Sequence, residues 1–280
     1  MYPRNLEMQK GLAYYRESDC FTQDPQNLVH AYLHENYTHK MHVHQFCEMN
    51  IIVSGEGQHY IGDFSIPASI GDVFVIPPTV AHGYFSHGRL DILHILLRAD
   101  FMQRYREELC RLPSYSLLFD IEPQIRLSSG GEYNLRIPSH CFPALQEEIY
   151  RLISLEKAKE YTYQNVLTLG FIGKLGELLR QSMQNETIRT RDRGLLEAME
   201  YIRENLDQKL TLELLASKVS LSKSTLNRRF VETLHVSPMQ YVMKCRLEKA
   251  KTLLSQGELS KTEIAHFCGF FDIAHMNKYL

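Results

Sequence analysis

The sequence contains no apolar run approaching the roughly 20 residues needed to cross a bilayer, which excludes a membrane-embedded sensor. Its first 19 residues also lack the apolar core of a signal peptide. Cysteine is sparse: the six residues, at positions 20, 47, 110, 141, 245 and 268, have none of the close pairing of a disulfide framework. These absences lead to the expectation of a cytoplasmic chain with reduced thiols. Net charge is nearly absent too, at −2, but the small value hides an asymmetry. From Thr190 to Leu280 there are 14 Lys/Arg against 11 Asp/Glu, a net +3, which leaves −5 for the rest. Such a modest excess permits phosphate binding without demonstrating it, because it is usually a solvated face. Apolar content is ordinary, 44% of 280 residues, enough for the cores of about two domains.

The most informative stretch is Leu214 to Leu280, which carries one pattern twice. Leu215-Ala216 is followed by Ser222, Leu226 and Phe230, and Ile264-Ala265 by Asp272, Met276 and Leu280, with one extra residue in the second turn. Each copy predicts a helix with a small residue at a close crossing, a short turn, an N-cap at Ser222 or Asp272, and a second helix whose i, i+4 apolar pair faces inward. One copy is often just two packed helices, whereas two copies about 50 residues apart are hard to reach by accident. Between them, Ser237 before Pro238 is an N-cap with proline at the first helical position. Val242, Cys245, Ala250, Leu253 and Leu254 then form an apolar stripe that Gly257 ends. A helix of about 18 residues spans roughly 27 Å, of the same order as the roughly 34 Å turn of B-DNA, so one chain would reach two adjacent major grooves.

Leu-Leu-Ala at 214–216, Leu-Ser-Lys-Ser-Thr-Leu-Asn-Arg-Arg-Phe at 221–230, Val-Ser-Pro-Met-Gln-Tyr at 236–241, Arg-Leu-Glu-Lys-Ala-Lys-Thr-Leu-Leu at 246–254 and Glu-Ile-Ala-His-Phe-Cys-Gly-Phe at 263–270 resemble the signature of AraC/XylS-type transcription regulators. The likeness covers about the last third of the chain, and its motifs are specific. The family usually has glycine where this chain has Ser220 and His235, and aromatic residues where it has Met276 and Leu280. Members normally continue beyond the position of Leu280 for another turn, a short helix and a Pro-containing tail. The second motif is therefore expected to be truncated and incompletely closed.

The first half reads as β-rich. Met49 to Val53, His59 to Ile61 and Val73 to Ile76 are short strand-like runs, broken by Gly55, Gly57, Gly62, Gly71 and Pro77-Pro78, which predicts a barrel or sandwich. From about Phe142 the period changes to 3.6, predicting helices near 142–157 and 161–183, and the polar segment Gln184 to Asp192 reads as a linker. The domain expectation is 1–183 for sensing and dimerisation, 184–192 for the linker, and 193–280 for DNA binding. The fold class is α+β, a cupin-like β-barrel with flanking helices followed by an all-α domain with two helix-turn-helix motifs.

In His42-Val-His44-Gln-Phe-Cys-Glu48, residues 42, 44, 46, 48 and 50 share one face of a strand, so two imidazoles and a carboxylate converge. Gly71-Asp72, Pro77 and His82 resemble the second half of the cupin pattern, which implies that His82 joins them from another strand. Asn36 stands where that pattern usually has glycine. Two readings follow. His42, His44, Glu48 and His82 would suit Fe, Mn, Ni or Zn as a metal set, or they would hydrogen-bond a small polar effector. The effector pocket, with no resident cofactor, is the expectation, because cupin-like regulators mostly use the cavity without a metal. Likeness to the arabinose-responsive member adds Tyr84 and His94 to the pocket, and polar groups beside aromatic faces suit a carbohydrate. Tyr32, Tyr37 and Tyr60 are expected to pack.

Two apolar helical stripes, Leu145, Ile149, Leu152 and Ile153, then Val166, Leu169, Ile172, Leu175, Leu178 and Leu179, offer surface for the barrel and for a second copy. The resemblance implies dimerisation through such a helix, placed on 162–180. On the first recognition helix Leu226 and Phe230 are expected inside, leaving Ser224, Asn227 and Arg228 outward; Asn suits adenine and Arg guanine. On the second, Ile273, Ala274, Asn277 and Lys278 are expected outward, the first two against thymine methyls. Lys223 and Arg229 are expected on phosphate. These readings combine into a ligand-responsive, sequence-specific regulator or activator, not an enzyme. Its partners would be double-stranded DNA, a small-molecule effector such as a sugar, a second copy of the chain and RNA polymerase. The alternatives are a metal-dependent cupin enzyme fused to a DNA-binding tail, and a module whose helix pairs bind protein.

Overall fold

The computed structural model describes residues 12–280 except 113–114, 116, 124–125, 127–134, 186–189 and 258. The chain divides near residue 186 into two compact units. The segment expected as a linker lies partly outside the described residues, and its described ends, Gln184-Asn185 and Thr190–Asp192, are helical. Among the described residues no helix is long and apolar enough to cross a membrane.

Among the described residues nine strands build the first unit: β1 (Ala13–Tyr15), β2 (Val29–His34), β3 (His39–His44), β4 (Cys47–Ile61), β5 (Phe64–Ser69), β6 (Asp72–Ile76), β7 (His82–Phe85), β8 (Leu90–Leu97) and β9 (Leu135–Arg136). Alternation puts Ile52, Ile66, Phe74, Ile76, Tyr84 and Ile92 on inner faces, where they form one apolar cluster. β4 belongs to both walls. Its first half pairs antiparallel with β8 and β6, giving the order β2-β8-β4-β6-β9, and its second half pairs with β7 and β5, giving β1-β3-β7-β4-β5. The strand runs unbroken through Gly55 and Gly57, which the sequence reading took as breaks. The reason is local: Gly55 has φ +78, and a Cβ there would lie 1.8 Å from the carbonyl oxygen of Arg89, so only glycine lets β4 pass from one wall to the other.

Short helices α1 (Glu17–Cys20), α2 (Ala99–Arg104) and α3 (Arg106–Arg111) precede two long ones, α4 (Phe142–Ala158) and α5 (Tyr161–Asn185), which pack on each other and on β2. On α4, Leu145, Ile149 and Leu152 are buried as expected. On α5 the buried face differs from the expected stripe. Val166 is 55% exposed, and the face runs through Tyr161, Gln164, Asn165, Thr168, Phe171, Ile172, Leu175 and Leu179. An apolar count misses it because polar members share the face, their amide nitrogens held locally: Asn165 Nδ2 donates to the Gln26 carbonyl at 3.0 Å and Gln164 Nε2 to Glu156 at 2.8 Å.

The second unit is helical: α6 (Thr190–Glu204), α7 (Leu212–Lys218), α8 (Lys223–Leu234), α9 (Pro238–Gln256), α10 (Lys261–Phe267) and α11 (Ile273–Asn277). Ser222 Oγ caps α8 through the Thr225 N–H, and Asp272 caps α11 through the His275 N–H. α9 opens with a Ser237/Gln240 capping box and closes at Gly257, φ +72. Leu226 and Phe230 are fully buried, as is Met276 in a core with Ala250, Ile264, Ala265, Cys268 and Phe270. Leu280, expected to face inward with Met276, is instead 44% exposed, because α11 ends at Asn277 and the chain turns at Lys278-Tyr279. Asn36, Ser220 and His235 all stand where the family patterns usually have glycine. All three adopt left-handed backbone, φ 52, 52 and 55, so the conformation is kept without the residue.

Replacing Gly55 with Ala should lower the stability of the first unit by about 2–4 kcal/mol, since it meets backbone rather than a flexible side chain. Gly62→Ala, also left-handed but with nothing within 4 Å, should cost only about 1 kcal/mol. Urea unfolding of the two variants measures the difference.

Candidate functional site

Glu48 starts β4 with its side chain inside the barrel, 3% exposed. His94 Nδ1 donates to its Oε1 at 2.7 Å, while His82 Nε2 lies 3.1 Å and His44 Nε2 2.9 Å from Oε2. The His44 contact is off-line for a hydrogen bond and is chiefly electrostatic. His42 stands beside them, its ring centre 4.2 Å from that of His82.

The backbone fixes these rings. His42, His44 and His82 turn Nδ1 to the carbonyls of Lys40, Phe46 and Val80 at 3.0, 2.7 and 3.2 Å. A carbonyl only accepts, so each Nδ1 carries the proton, and Nε2 is the atom left for the barrel. The sequence reading placed 42–50 on one strand. The structure interrupts it at Gln45-Phe46, yet Phe46, packed with Phe21 and Leu96, still stacks its ring on His44 with centres 4.5 Å apart. His42, His44, Glu48 and Asn50 nevertheless meet, His42 opposite His82 in one wall and Asn50 opposite His94 in the other. Tyr84 is buried and its hydroxyl accepts from Asn50 Nδ2 at 3.1 Å. Tyr32 and Tyr37, expected only to pack, press on His94 with ring centres 4.9 and 4.7 Å away, whereas Tyr60 is exposed. His59 and Arg126 were not singled out. His59 sits opposite Tyr84 and was legible as strand parity, while Arg126 comes from outside the barrel strands and left no signal.

Burial works against the charge on Glu48, but the facing imidazoles overcome it and hold the carboxyl well below the ordinary carboxylate range. Burial, with His82 nearby, pushes His42 down to about 3. Both nitrogens of His82 face oxygens, so the contact needs protons on both, or a cation in place of one. His42, Glu48 and His82 each bring a donor atom within 4.8 Å of the others. Imidazole and carboxylate suit divalent transition ions, and ligands of an octahedral ion with roughly 2.1 Å bonds lie about 3.0 Å apart, a separation that His82 Nε2 and Glu48 already have at 3.1 Å. The residues present therefore fit a metal as well as a polar ligand.

On the helical unit, Lys223, Ser224 and Arg228 are exposed and Asn227 half-buried along α8. Lys223 is paired with Glu213 at 2.7 Å, while Arg228 comes only within 4.0 Å of Glu232. Ala274, Asn277 and Lys278 are exposed; Ile273, expected outward, is half-buried against the core around Met276, because a first-turn residue of so short a helix leans on the preceding turn.

A barrel with a polar interior and a duplicated helix-turn-helix define a ligand-responsive transcription regulator. Residues 27–148 match the model of the AraC-like ligand binding domain and residues 215–280 that of a helix-turn-helix domain. Relatives include the HTH-type transcriptional activators RhaS of Enterobacter sp. (strain 638), 27% identical, and of Escherichia fergusonii, 26% identical; each match covers 84% of this chain and 81% of the relative. An AraC-type regulator from Chromobacterium violaceum is a solved structure 30% identical over 31% of this chain and 78% of its own, with a TM-score of 0.30. The chain belongs to the AraC-type family of transcription regulators and is a regulator rather than an enzyme.

Because His42 is neutral when folded and takes a proton near its ordinary value when unfolded, acid favours the unfolded chain. Stability of the first unit should fall as pH is lowered from about 7 to about 5, and His42→Gln should flatten that slope. Urea unfolding across this range, followed for both forms, reads the effect; parallel slopes would contradict it.

Proposed function

We propose that the chain is a cytoplasmic, effector-responsive activator whose barrel takes a small polar molecule such as a sugar. The observation that carries this reading is the buried Glu48 and His94 pair set against Tyr32, Tyr37 and Tyr84: directed polar groups beside aromatic faces, the combination a carbohydrate needs. Residues 1–183 sense and dimerise, through the helix at 162–180, and residues 193–280 bind DNA across a linker at 184–192. Ligand in the barrel shifts the population of arrangements in which a dimer holds its DNA-binding units, and so changes which half-sites it spans and whether it engages RNA polymerase. Ser224, Asn227 and Arg228 read one major groove and Ala274, Asn277 and Lys278 the next, with Ile273 at its edge. Lys223 and Arg229 contribute phosphate contacts.

A second reading is supported by the Nδ1 anchoring: His42, His44, Glu48 and His82 would hold a divalent transition ion, which would polarise a ligand oxygen. In that case the three carbonyls keep the imidazoles oriented, and His94 holds the other carboxylate oxygen.

Arg228→Ala should weaken binding to a cognate operator by about 1–3 kcal/mol and relax choice at one base; a uniform loss over unrelated sequences would make Arg228 a phosphate contact. His44→Ala combined with Glu48→Ala should abolish the effector-dependent change in DNA affinity. Equal loss with and without effector would contradict the pocket assignment. Metal analysis of the purified full chain and of this double variant separates the two readings, because a resident ion must be present in the first and absent from the second.

A further inference from the structure

Beyond the Glu48 cluster, four fully buried polar side chains stand within the same barrel with atoms that the protein leaves unused. Asn50 spends Nδ2 on Tyr84 and leaves Oδ1 without a partner. His94 spends Nδ1 on Glu48 and leaves Nε2. His59 uses neither ring nitrogen, although its ring lies flat on Tyr84 with centres 4.3 Å apart and edge-on to Phe74 at 4.5 Å. Arg126 reaches over the same Phe74 ring, its Cζ 5.6 Å from the centre; it pairs with Glu122 and donates Nη2 to the Val75 carbonyl at 2.6 Å, leaving Nη1. Asn50 and His94 are register partners on β4 and β8, and Asn50 is also opposite Phe74, so the unused atoms gather around one patch of the inner wall.

Buried polar atoms are almost always satisfied, and so many in one place mark a group that something else completes. We propose that Asn50, His59, His94 and Arg126 form an anchoring subsite for an uncharged, polyhydroxylated ligand. The donor and acceptor inventory selects the class. Asn50 Oδ1 accepts and Arg126 Nη1 donates, the two nitrogens of His59 do one each, and His94 Nε2 completes the set. A carboxylate can only accept and an ammonium can only donate, so either leaves part of the subsite unmet. A hydroxyl does both. Charge points the same way: Arg126 is already neutralised by Glu122, so an added anion would find no free counter-charge. Phe74, Tyr84 and Tyr37 supply faces for C–H groups.

This inference rests on the reading of the barrel as the effector site and adds to it the ligand's chemistry and the residues that select it. The test is a thermal-shift and calorimetric panel on the full chain: neutral pentoses, hexoses, deoxyhexoses and polyols against uronic acids and hexosamines. A neutral member should bind, and Asn50→Leu and Arg126→Met should each weaken it at least about tenfold, the loss of one buried hydrogen-bond partner. His59→Phe keeps the ring against Tyr84 and removes the unused nitrogens. It should raise the melting temperature of the ligand-free protein while reducing the ligand's own shift, a combination that a purely structural histidine would not give. Binding by a uronic acid or hexosamine alone would overturn the subsite's chemistry and leave the effector reading standing. Unchanged affinity in all three variants would overturn the subsite. No binding by any member, together with an unchanged melting temperature for ligand-free His59→Phe, would overturn both.

Discussion

A carboxylate buried inside the barrel is the constraint on which the first unit depends. Ionised and alone, Glu48 would be far too costly to bury, so its surroundings must supply protons or a cation on every side. The chain does this from three directions. His44 comes from β3, His82 from β7 and His94 from β8, strands that belong to opposite walls. The arrangement closes the barrel around one charge as much as around its apolar cluster. It also specifies register, since a one-residue slip of β3, β7 or β8 would turn an imidazole out and strand the carboxylate.

The helical unit meets a different demand, placing two short recognition helices at fixed angles. Polar caps do most of that work. Ser222, Ser237, Ser260 and Asp272 each accept from a backbone N–H three residues on, so four helix starts are set by side chains that the sequence displays. The left-handed turns at Ser220 and His235 carry a cost that glycine would avoid, and the buried Leu226, Phe230 and Val242 outweigh it.

Most of this unit was legible in the sequence, because helix caps and i, i+4 pairs are local. Ile273 and Leu280 were misread where the last helix proved shorter than its pattern. The barrel was legible in outline only. Alternation located Glu48, His42 and His44 even though the strand assumed for them is interrupted at Gln45-Phe46, since a two-residue break preserves which side chains face inward, and the family likeness added His82 and His94. The long β4 was hidden by glycines that permit continuity instead of ending it, and the buried face of α5 was hidden by Gln164 and Asn165, polar residues whose amide nitrogens bond to Glu156 and to the Gln26 carbonyl. Arg126 was invisible for a stronger reason. Nothing in its neighbours announces a charged side chain that crosses from outside the strands to an aromatic ring within, a relation that exists only in three dimensions.

One feature of the backbone sets how the barrel can respond at all. Because β4 is a single covalent ribbon woven into both walls, the walls cannot part like the covers of a book. Asn50 in one and His59 in the other are tied by the eight residues between them on the same strand, so displacing one group loads the other. The compliance available is torsion about the ribbon, concentrated at Gly55, where the chain has no side chain and the Arg89 carbonyl sits against it. A barrel built this way resists a change of width and leaves twist along its length as the softer deformation.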